Sequence, residues 1–192
     1  MSLVSIIITA YYREKQLFAL LKSINKINYT KKDLRIILVI DGFKISKKKL
    51  LNSSKFKLKI LNNNQNMGPS FSRNKALNIA NSKYIWFLDS DALILKKNTL
   101  KNMIKHINKN NVDGITGYIE KIDGVYKVQT PNFYRNFLNI EKFTELKKFD
   151  SSRNNFFAQT SLFVVKKDFL KKYGYYENKL RIKEDEELAY RI

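Results

Sequence analysis

Short runs of apolar residues alternate along the chain with segments whose apolar side chains recur at helical spacing. Runs rich in β-branched residues, such as Val4-Ser5-Ile6-Ile7-Ile8-Thr9, predict buried strands. Strands are predicted at residues 4–9, 34–40, 56–61, 84–88, 112–119 and 161–165. Helices are predicted at residues 14–27, 70–80, 98–107 and 167–173, and a further helix begins at residue 184. This alternation predicts an α/β fold with a mostly parallel central sheet flanked by helices.

One long segment departs from the alternation. Residues 121–155 contain Gly124 and Pro131, and they mix aromatic residues with lysines without a clear period. The segment lies between the predicted strands at 112–119 and 161–165. We therefore expect an excursion of loops and short helices there, rather than further strands of the central sheet.

Polar side chains stand where three of the predicted strands end. Thr9 closes the first strand, Asp41 follows the second, and Asp89 and Asp91 follow the strand at 84–88. Right-handed crossovers bring the carboxyl ends of parallel strands to one edge of a sheet, which is where ligands bind. We therefore expect these side chains to meet in one site.

The sequence Asp89-Ser90-Asp91 places two carboxylates one residue apart, directly after an apolar run. An unpaired charge buried there would cost several kcal/mol, so the pair is expected to face solvent or a cation. Mg2+ and Mn2+ prefer oxygen ligands and commonly carry substrate phosphates. The pair predicts a metal-dependent site for a diphosphate, although a polar turn that holds two aspartates would have the same sequence.

The chain of 192 residues carries a formal net charge of +20. Its lysines are spread in short groups, of which 47–49, 96–97 and 171–172 are examples. A nucleic-acid-binding protein would favour one clustered basic stripe, so no specific nucleic-acid partner is predicted. The spread fits a solvated basic surface that arises from codon bias, and it leaves open a peripheral contact with an anionic membrane.

The absence of cysteine excludes disulfides, thiolate catalysis and cysteine-ligated zinc. The N-terminus lacks a basic segment followed by a long apolar stretch, so no signal peptide is expected. No apolar run approaches the ~20 residues that a membrane-spanning helix needs. We expect a cytoplasmic protein, free or peripheral at the inner face of the membrane.

Five ordered blocks of the sequence together resemble the family 2 glycosyltransferases, which have the GT-A fold. The blocks lie at residues 4–11, 37–42, 66–80, 84–91 and 161–191. The resemblance implies a single GT-A domain over residues 1–192. Its nucleotide-binding part would span about 1–95, and its acceptor-side part with the catalytic base about 96–192. Because such enzymes usually continue past the base, we expect this domain to be incomplete at its C-terminus.

The resemblance implies which residues bind the nucleotide. Tyr11 would flank the uracil ring, and Thr9 lies near it at the end of the first strand. Asp41 would accept a hydrogen bond from the base, although Ile40 replaces the aspartate that usually precedes it. Arg73 would reach base carbonyls or phosphate oxygens with its planar guanidinium.

The resemblance also implies the chemistry. Asp91 would coordinate Mn2+ or Mg2+ across the two phosphates, and Asp89 would hold the ribose or a metal-bound water. Asp185 would be the general base that removes a proton from the acceptor hydroxyl. The implied activity is inverting transfer of a sugar from a nucleoside diphosphate sugar, expected to be UDP-linked. The acceptor would be a saccharide or a lipid-linked hydroxyl in surface polysaccharide or glycolipid synthesis. The excursion at residues 121–155 is where we expect it to be held.

Two other functions remain open at this point. The acidic run at 184–187 is also typical of a helix whose first turn offsets the macrodipole, and Tyr176 stands where the family usually has aspartate. Because relatives usually continue past Asp185, the alternative is a truncated or partner-dependent module that binds nucleotide sugar without turnover. A nucleic-acid-binding module driven by the net charge of +20 is the third hypothesis.

Overall fold

The structure, a computed structural model, describes residues 2–116, 118–122, 125–129 and 162–191. Strands and helices alternate through the first half of the chain, as the apolar pattern predicts. None of the helices in the described residues is long and apolar enough to cross a membrane. In chain order the elements are β1 (Ser2–Ala10), α1 (Glu14–Ile24), β2 (Leu34–Asp41), α2 (Lys47–Asn52), β3 (Lys57–Asn63), α3 (Pro69–Ile79), β4 (Ser82–Asp89), β5 (Leu93–Ile94), α4 (Thr99–Asn110), β6 (Gly114–Thr116), β7 (Tyr118–Ile122), β8 (Val125–Gln129), β9 (Phe163–Lys166), α5 (Lys167–Tyr173) and α6 (Glu184–Arg191).

Six strands of the described residues form the central sheet, in the order β3-β2-β1-β4-β9-β6. The first four are parallel to one another, whereas β9 is antiparallel to both β4 and β6. A second sheet has the order β5-β8-β7. The prediction of an α/β fold with a mostly parallel sheet is confirmed.

Strand β1 lies at the centre of the sheet because its residues are apolar on both faces. Ile6 and Ile8 pack on one face, in the same buried cluster as Leu17 of α1. Ile7 packs on the other face, in the cluster that contains Leu77 of α3. Consecutive side chains of a strand point to opposite faces, so a strand covered on both sides needs an unbroken apolar run. The sheet is therefore covered by helices on both sides.

The segment after α4 differs from the prediction. The single strand expected at 112–119 is two strands, β6 in the central sheet and β7 in the second sheet. The described part of 121–155 is also not loops and short helices, because β7 and β8 pair antiparallel. The remainder, 130–155, lies outside the described residues. The dipeptide Asp123-Gly124 is typical of a hairpin connection. It predicts the paired strands here, whereas the absence of a clear hydrophobic period led to the expectation of loops.

Helix α2 is absent from the predicted elements. It begins after Ser46, whose hydroxyl accepts a hydrogen bond from the backbone N–H of Lys49 at 3.3 Å. Leu50 is its buried residue, and three lysines occupy its first half. A helix this short and polar has no apolar repeat to detect, so its cap is the signal that could have found it.

The carboxyl ends of the parallel strands meet at one edge of the central sheet, called the carboxyl edge below. Thr9 of β1 is paired with Val39 of β2 on one side and with Asp89 of β4 on the other. Asp41 of β2 is paired with Asn63 of β3. The predicted convergence of these polar residues at one edge is therefore confirmed.

Gly42 follows β2 at this edge, and its replacement by alanine is expected to destabilise the fold. Its φ is +78°, and an added Cβ would lie 2.3 Å from the backbone nitrogen of Asn66. Left-handed strain together with a backbone collision predicts that Gly42→Ala lowers the free energy of unfolding by about 1–3 kcal/mol. Urea unfolding followed by circular dichroism would measure the change.

Gly174→Ala is the matched control for that prediction. Gly174 also has a positive φ, of +90°, but its added Cβ would meet the guanidinium Nη1 of Arg191 at 2.8 Å. A flexible side chain can move aside where backbone cannot. We expect the smaller loss at Gly174, and equal losses at the two positions would contradict the backbone contact as the cause at Gly42.

Candidate functional site

A cleft of about 430 Å³ opens at the carboxyl edge of the sheet. Its walls come from the ends of β1, β2 and β4, the start of α3 and the first residue of α6. Asp185 is not among the lining residues, but its neighbour Glu184 is. The other predicted site residues all line the cleft: Thr9, Tyr11, Asp41, Arg73, Asp89 and Asp91.

One exposed aromatic ring, that of Tyr11, lines the cleft. Tyr11 is 47% exposed and meets Tyr12 edge to face, with 4.6 Å between the ring centres. Tyr12 in turn stacks on Phe43 at 5.6 Å. Tyr12 and Arg13 both have left-handed backbone, with φ of 54° and 43°. This unusual turn keeps the Tyr11 ring out of the core. The exposed ring can therefore stack on a planar ligand.

Asp41 is buried, and its carboxylate organises the loop that leads into α3. Its Oδ1 accepts hydrogen bonds from Asn63 Nδ2 and from the Met67 backbone N–H, both at 2.8 Å. Its Oδ2 accepts one from the backbone N–H of Gly68 at 2.9 Å. The carboxylate thus holds the segment 67–68 in place and borders the cleft. Its contact with a nucleotide base stays a prediction.

Each carboxylate of the Asp89 and Asp91 pair is bound to an arginine. Arg13 Nη1 donates to Asp91 Oδ2, and Arg73 Nη2 donates to Asp89 Oδ1 at 3.1 Å. Burial raises the pKa of Asp89; the Arg73 charge opposes this shift, and the charge of Asp91 adds to it. Additional positive charge at the pair would favour the ionised form of Asp89.

The cleft is acidic although the protein is strongly basic. Its lining residues include four carboxylates and two guanidinium groups, whereas the whole chain has a net charge of +20. Like charges at short distance repel strongly where water is partly excluded. The charge of the lining residues alone therefore disfavours binding of an anionic ligand in this cleft.

Arg73 lies beneath the cleft, between two acidic residues. Its Nη1 donates to Glu184 Oε1 at 2.5 Å, in addition to its bond with Asp89. Burial alone would lower the pKa of Arg73, but Asp89 and Glu184 raise it overall, so the guanidinium stays charged. The ring of Tyr176 packs against this guanidinium, and the replacement of the usual aspartate at 176 therefore supplies a buried aromatic contact.

Asp185 is the second residue of α6 and is half-buried. Its Oδ1 accepts a hydrogen bond from the backbone N–H of Glu186 at 3.0 Å. Burial raises the pKa of Asp185, and the charge of Glu184 raises it further. A carboxyl group with a raised pKa is a stronger base, which suits proton abstraction.

Two residues of the site were missed by the sequence analysis. Arg13 lies directly after the predicted aromatic contact Tyr11, and Glu184 directly precedes Asp185. Neither position has a local signal for its partner, because Asp91 is 78 residues from Arg13 and Arg73 is 111 residues from Glu184. The order of charged residues along the chain does not indicate which distant residues will form ion pairs.

Comparison with known proteins shows which family the chain belongs to. The profile of glycosyl transferase family 2 matches residues 5–174. The chain belongs to this family. The uncharacterized glycosyltransferase MJ1057 of Methanocaldococcus jannaschii is 32% identical over 187 residues, which cover 93% of this chain and 61% of that protein.

A second relative has a more specific name. It is the UDP-Glc:alpha-D-GlcNAc-diphosphoundecaprenol beta-1,3-glucosyltransferase WfgD of Escherichia coli, 33% identical over 121 residues. The match covers 63% of this chain and 47% of WfgD. The family 2 chain described here therefore spans 61% and 47% of the lengths of these two relatives.

Solved structures of similar fold include TarS and a mannosyltransferase. The crystal structure of S. aureus TarS 1-349 in complex with UDP-GlcNAc has a TM-score of 0.75 and 22% identity, covering 100% of this chain and 53% of that one. Mannosyltransferase PcManGT from Pyrobaculum calidifontis, in complex with GDP-Man and Mn2+, has a TM-score of 0.70 and 16% identity, covering 96% and 50%. The chain therefore has the GT-A fold, as predicted.

Proposed function

We propose that this chain transfers a sugar from a nucleoside diphosphate sugar to a hydroxyl acceptor, with inversion at the anomeric carbon. The observation that carries the proposal is the convergence of Asp89, Asp91 and the start of α6 on one cleft in a family 2 domain. The two aspartates would hold the diphosphate side of the donor, and α6 would supply the base. Bringing these groups together is a large part of what such an enzyme must do.

The donor is proposed to be UDP-linked. The structure of TarS holds UDP-GlcNAc, and the name of WfgD gives UDP-Glc as its donor, whereas PcManGT holds GDP-Man. In this chain Tyr11 presents an exposed ring, with Thr9 and Asp41 beside it in the same cleft. Stacking of a base on such a ring contributes about 1–3 kcal/mol. Arg73 lies at the floor of the same cleft, with its guanidinium paired with Asp89 and Glu184.

Mn2+ or Mg2+ is proposed as the cofactor, with Asp91 and Asp89 as its protein ligands. These ions commonly use one or two carboxylates together with substrate phosphates. The described residues hold no group of three or more acidic, histidine or cysteine side chains that could bind a metal alone, which agrees with such a shared site. When bound, the ion would neutralise negative charge that develops on the departing diphosphate.

Asp185 is proposed as the general base. The neighbouring Glu184 side chain is 11% exposed and paired with Arg73, so it is already engaged, whereas Asp185 is half-exposed. Asp185 would take the proton of the acceptor hydroxyl as its oxygen bonds to the anomeric carbon. The bond to the diphosphate would break on the opposite face, and this single displacement inverts the anomeric centre.

A saccharide or lipid-linked acceptor is proposed, in surface polysaccharide or glycolipid synthesis. WfgD is named for a diphosphoundecaprenol acceptor, which is lipid-linked. The net charge of +20 would favour a peripheral contact with anionic lipid at the cytoplasmic face of a membrane. Both features would bring the enzyme to a membrane-bound acceptor.

Calorimetric titration with UDP, in the presence and absence of Mn2+, tests the donor site. We expect UDP to bind at least about tenfold more tightly with Mn2+, since the ion cancels repulsion in the cleft. GDP, with the same diphosphate, is the matched control and should bind more weakly. Absence of UDP binding under both conditions would contradict the proposal. Metal-dependent binding without transfer of sugar to any hydroxyl acceptor would instead favour the binding-module alternative.

A further inference from the structure

Arg73 joins two carboxylates that are far apart in the sequence. Its Nη2 lies 3.1 Å from Asp89 Oδ1, and its Nη1 lies 2.5 Å from Glu184 Oε1. The side chain of Arg73 is 6% exposed. The Tyr176 ring covers it, with 5.3 Å from the ring centre to the guanidinium carbon. The guanidinium is therefore held by protein groups on three sides.

These contacts connect the two halves of the proposed site. Asp89 ends β4 and borders the cleft, while Glu184 begins α6 and is followed directly by Asp185. We propose that Arg73 is a positioning residue, which fixes the first turn of α6 and thereby holds Asp185 beside the donor site. The inference rests on the proposed function, because it gives Arg73 a task in that reaction.

The rest of α6 is held independently of Arg73. Arg191, in its last turn, donates to the carbonyl oxygens of Tyr173 at 2.7 Å and Tyr175 at 2.5 Å. Leu188 is fully buried in the core. Removal of the Arg73 side chain should therefore leave the helix folded and free its first turn. An effect confined to the first turn would indicate positioning, whereas loss of the whole helix would indicate a general contribution to stability.

The guanidinium also cancels repulsion at this point. Arg73 lies between Asp89 and Glu184. Asp91 is two residues from Asp89 in the sequence, and Asp185 directly follows Glu184. Without the cation between them, these carboxylates would push the start of α6 away from β4. Lysine is a poor substitute, because a point charge cannot present the two-pronged donor geometry that spans both carboxylates.

Amide hydrogen exchange over residues 184–191 tests this positioning without any ligand. We expect Arg73→Met and Glu184→Gln each to speed exchange in the first turn of α6, residues 184–187, by about tenfold, while the last turn exchanges as in the wild type. Arg35→Met, at an arginine of β2 that does not line the cleft, is the matched control and should change nothing there. Glu184→Gln keeps the side-chain shape and the Arg73–Asp89 pair, so it remains informative if Arg73→Met does not fold.

The same variants separate positioning from a direct nucleotide contact. A positioning role predicts that kcat falls by about 10²-fold in both variants while the Kd for UDP stays within about threefold of the wild type. The double variant should lose no more than Arg73→Met alone, because Arg73→Met already breaks the Arg73–Glu184 contact. An arginine that binds the nucleotide would instead raise the UDP Kd by about 10–100-fold in Arg73→Met, with Glu184→Gln unaffected.

The outcomes of these experiments are distinct. Unchanged exchange over 184–191 in Glu184→Gln would overturn the positioning role, whether or not the chain binds UDP. A raised UDP Kd confined to Arg73→Met would overturn it in favour of the nucleotide contact. A wild-type chain that binds no UDP would contradict the proposed function, and the exchange measurement would still decide what holds α6.

Discussion

Asp185→Asn is expected to reduce kcat for sugar transfer by about 10²–10⁴-fold while the Kd for UDP stays unchanged. Asparagine has nearly the same shape, and its oxygen can still accept the hydrogen bond from the Glu186 N–H, which is 3.0 Å long in the structure. It cannot take up the proton of an acceptor hydroxyl. Steady-state kinetics together with a UDP titration would measure both quantities.

The pH dependence gives this prediction a second readout. Burial, and then the charge of Glu184, raise the pKa of Asp185 above the ordinary value of 3.8. A general base acts in its ionised form, so kcat should fall as the pH drops through this raised pKa. The residual rate of Asp185→Asn should lack that acidic limb.

Asp168→Asn is the matched control. Asp168 occupies the first turn of α5, with a side chain that is 91% exposed, and its replacement makes the same chemical change at an equivalent helix position. If acidic residues here merely offset the helix dipole, both variants should behave alike. Equal kinetics for the two variants would therefore contradict the assignment of Asp185 as the base.

Asp91→Asn is expected to remove the effect of Mn2+ on UDP binding. With Mn2+ present, the Kd for UDP should rise by at least about tenfold. Loss of a residue that hydrogen-bonds to a metal ligand already weakens metal affinity, and loss of the ligand's own carboxylate should weaken it at least as much. Without Mn2+, the variant should bind UDP at least as tightly as the wild type, because the substitution removes one negative charge from the cleft. Titration calorimetry under both conditions would measure the difference.

Asp113→Asn controls for the loss of an ion-paired aspartate in general. Asp113 is paired with Lys166 at 3.0 Å and does not line the cleft, so its replacement should leave UDP binding unchanged with and without Mn2+. Asp91→Asn also frees Arg13 from its carboxylate partner. A change in UDP affinity that is the same with and without Mn2+ would point to this released arginine and contradict the metal assignment.

The parts of the fold that could be predicted are those with strong apolar patterns. Strands β1, β2 and β4 are covered on both faces, so their apolar runs are continuous and easily found. The hairpin β7–β8 and helix α2 were missed, because neither contains a long apolar period. Their signals were local instead: the dipeptide Asp123-Gly124 and the cap Ser46.

The site was partly predictable for a related reason. Thr9, Asp41, Asp89 and Asp91 end or follow recognisable strands, and parallel strands end at one edge, so their convergence follows from topology. Tyr11 and Arg73 were predicted at the site from the family resemblance and not from topology. The partners of these residues do not follow, since no rule of strand order states which side chains of separate elements will meet.

The sequence by itself determined the α/β architecture, the carboxyl edge as the location of the site, and the acidic pair that belongs there. Tertiary structure alone decided that Arg73 bridges Asp89 and Glu184, which is 111 residues away from it. Periodicity reports which face of an element is buried, and it carries no information about which distant charge will neutralise another. That choice depends on the approach of α3, α6 and β4 in space, where an unpaired buried charge is too costly to remain.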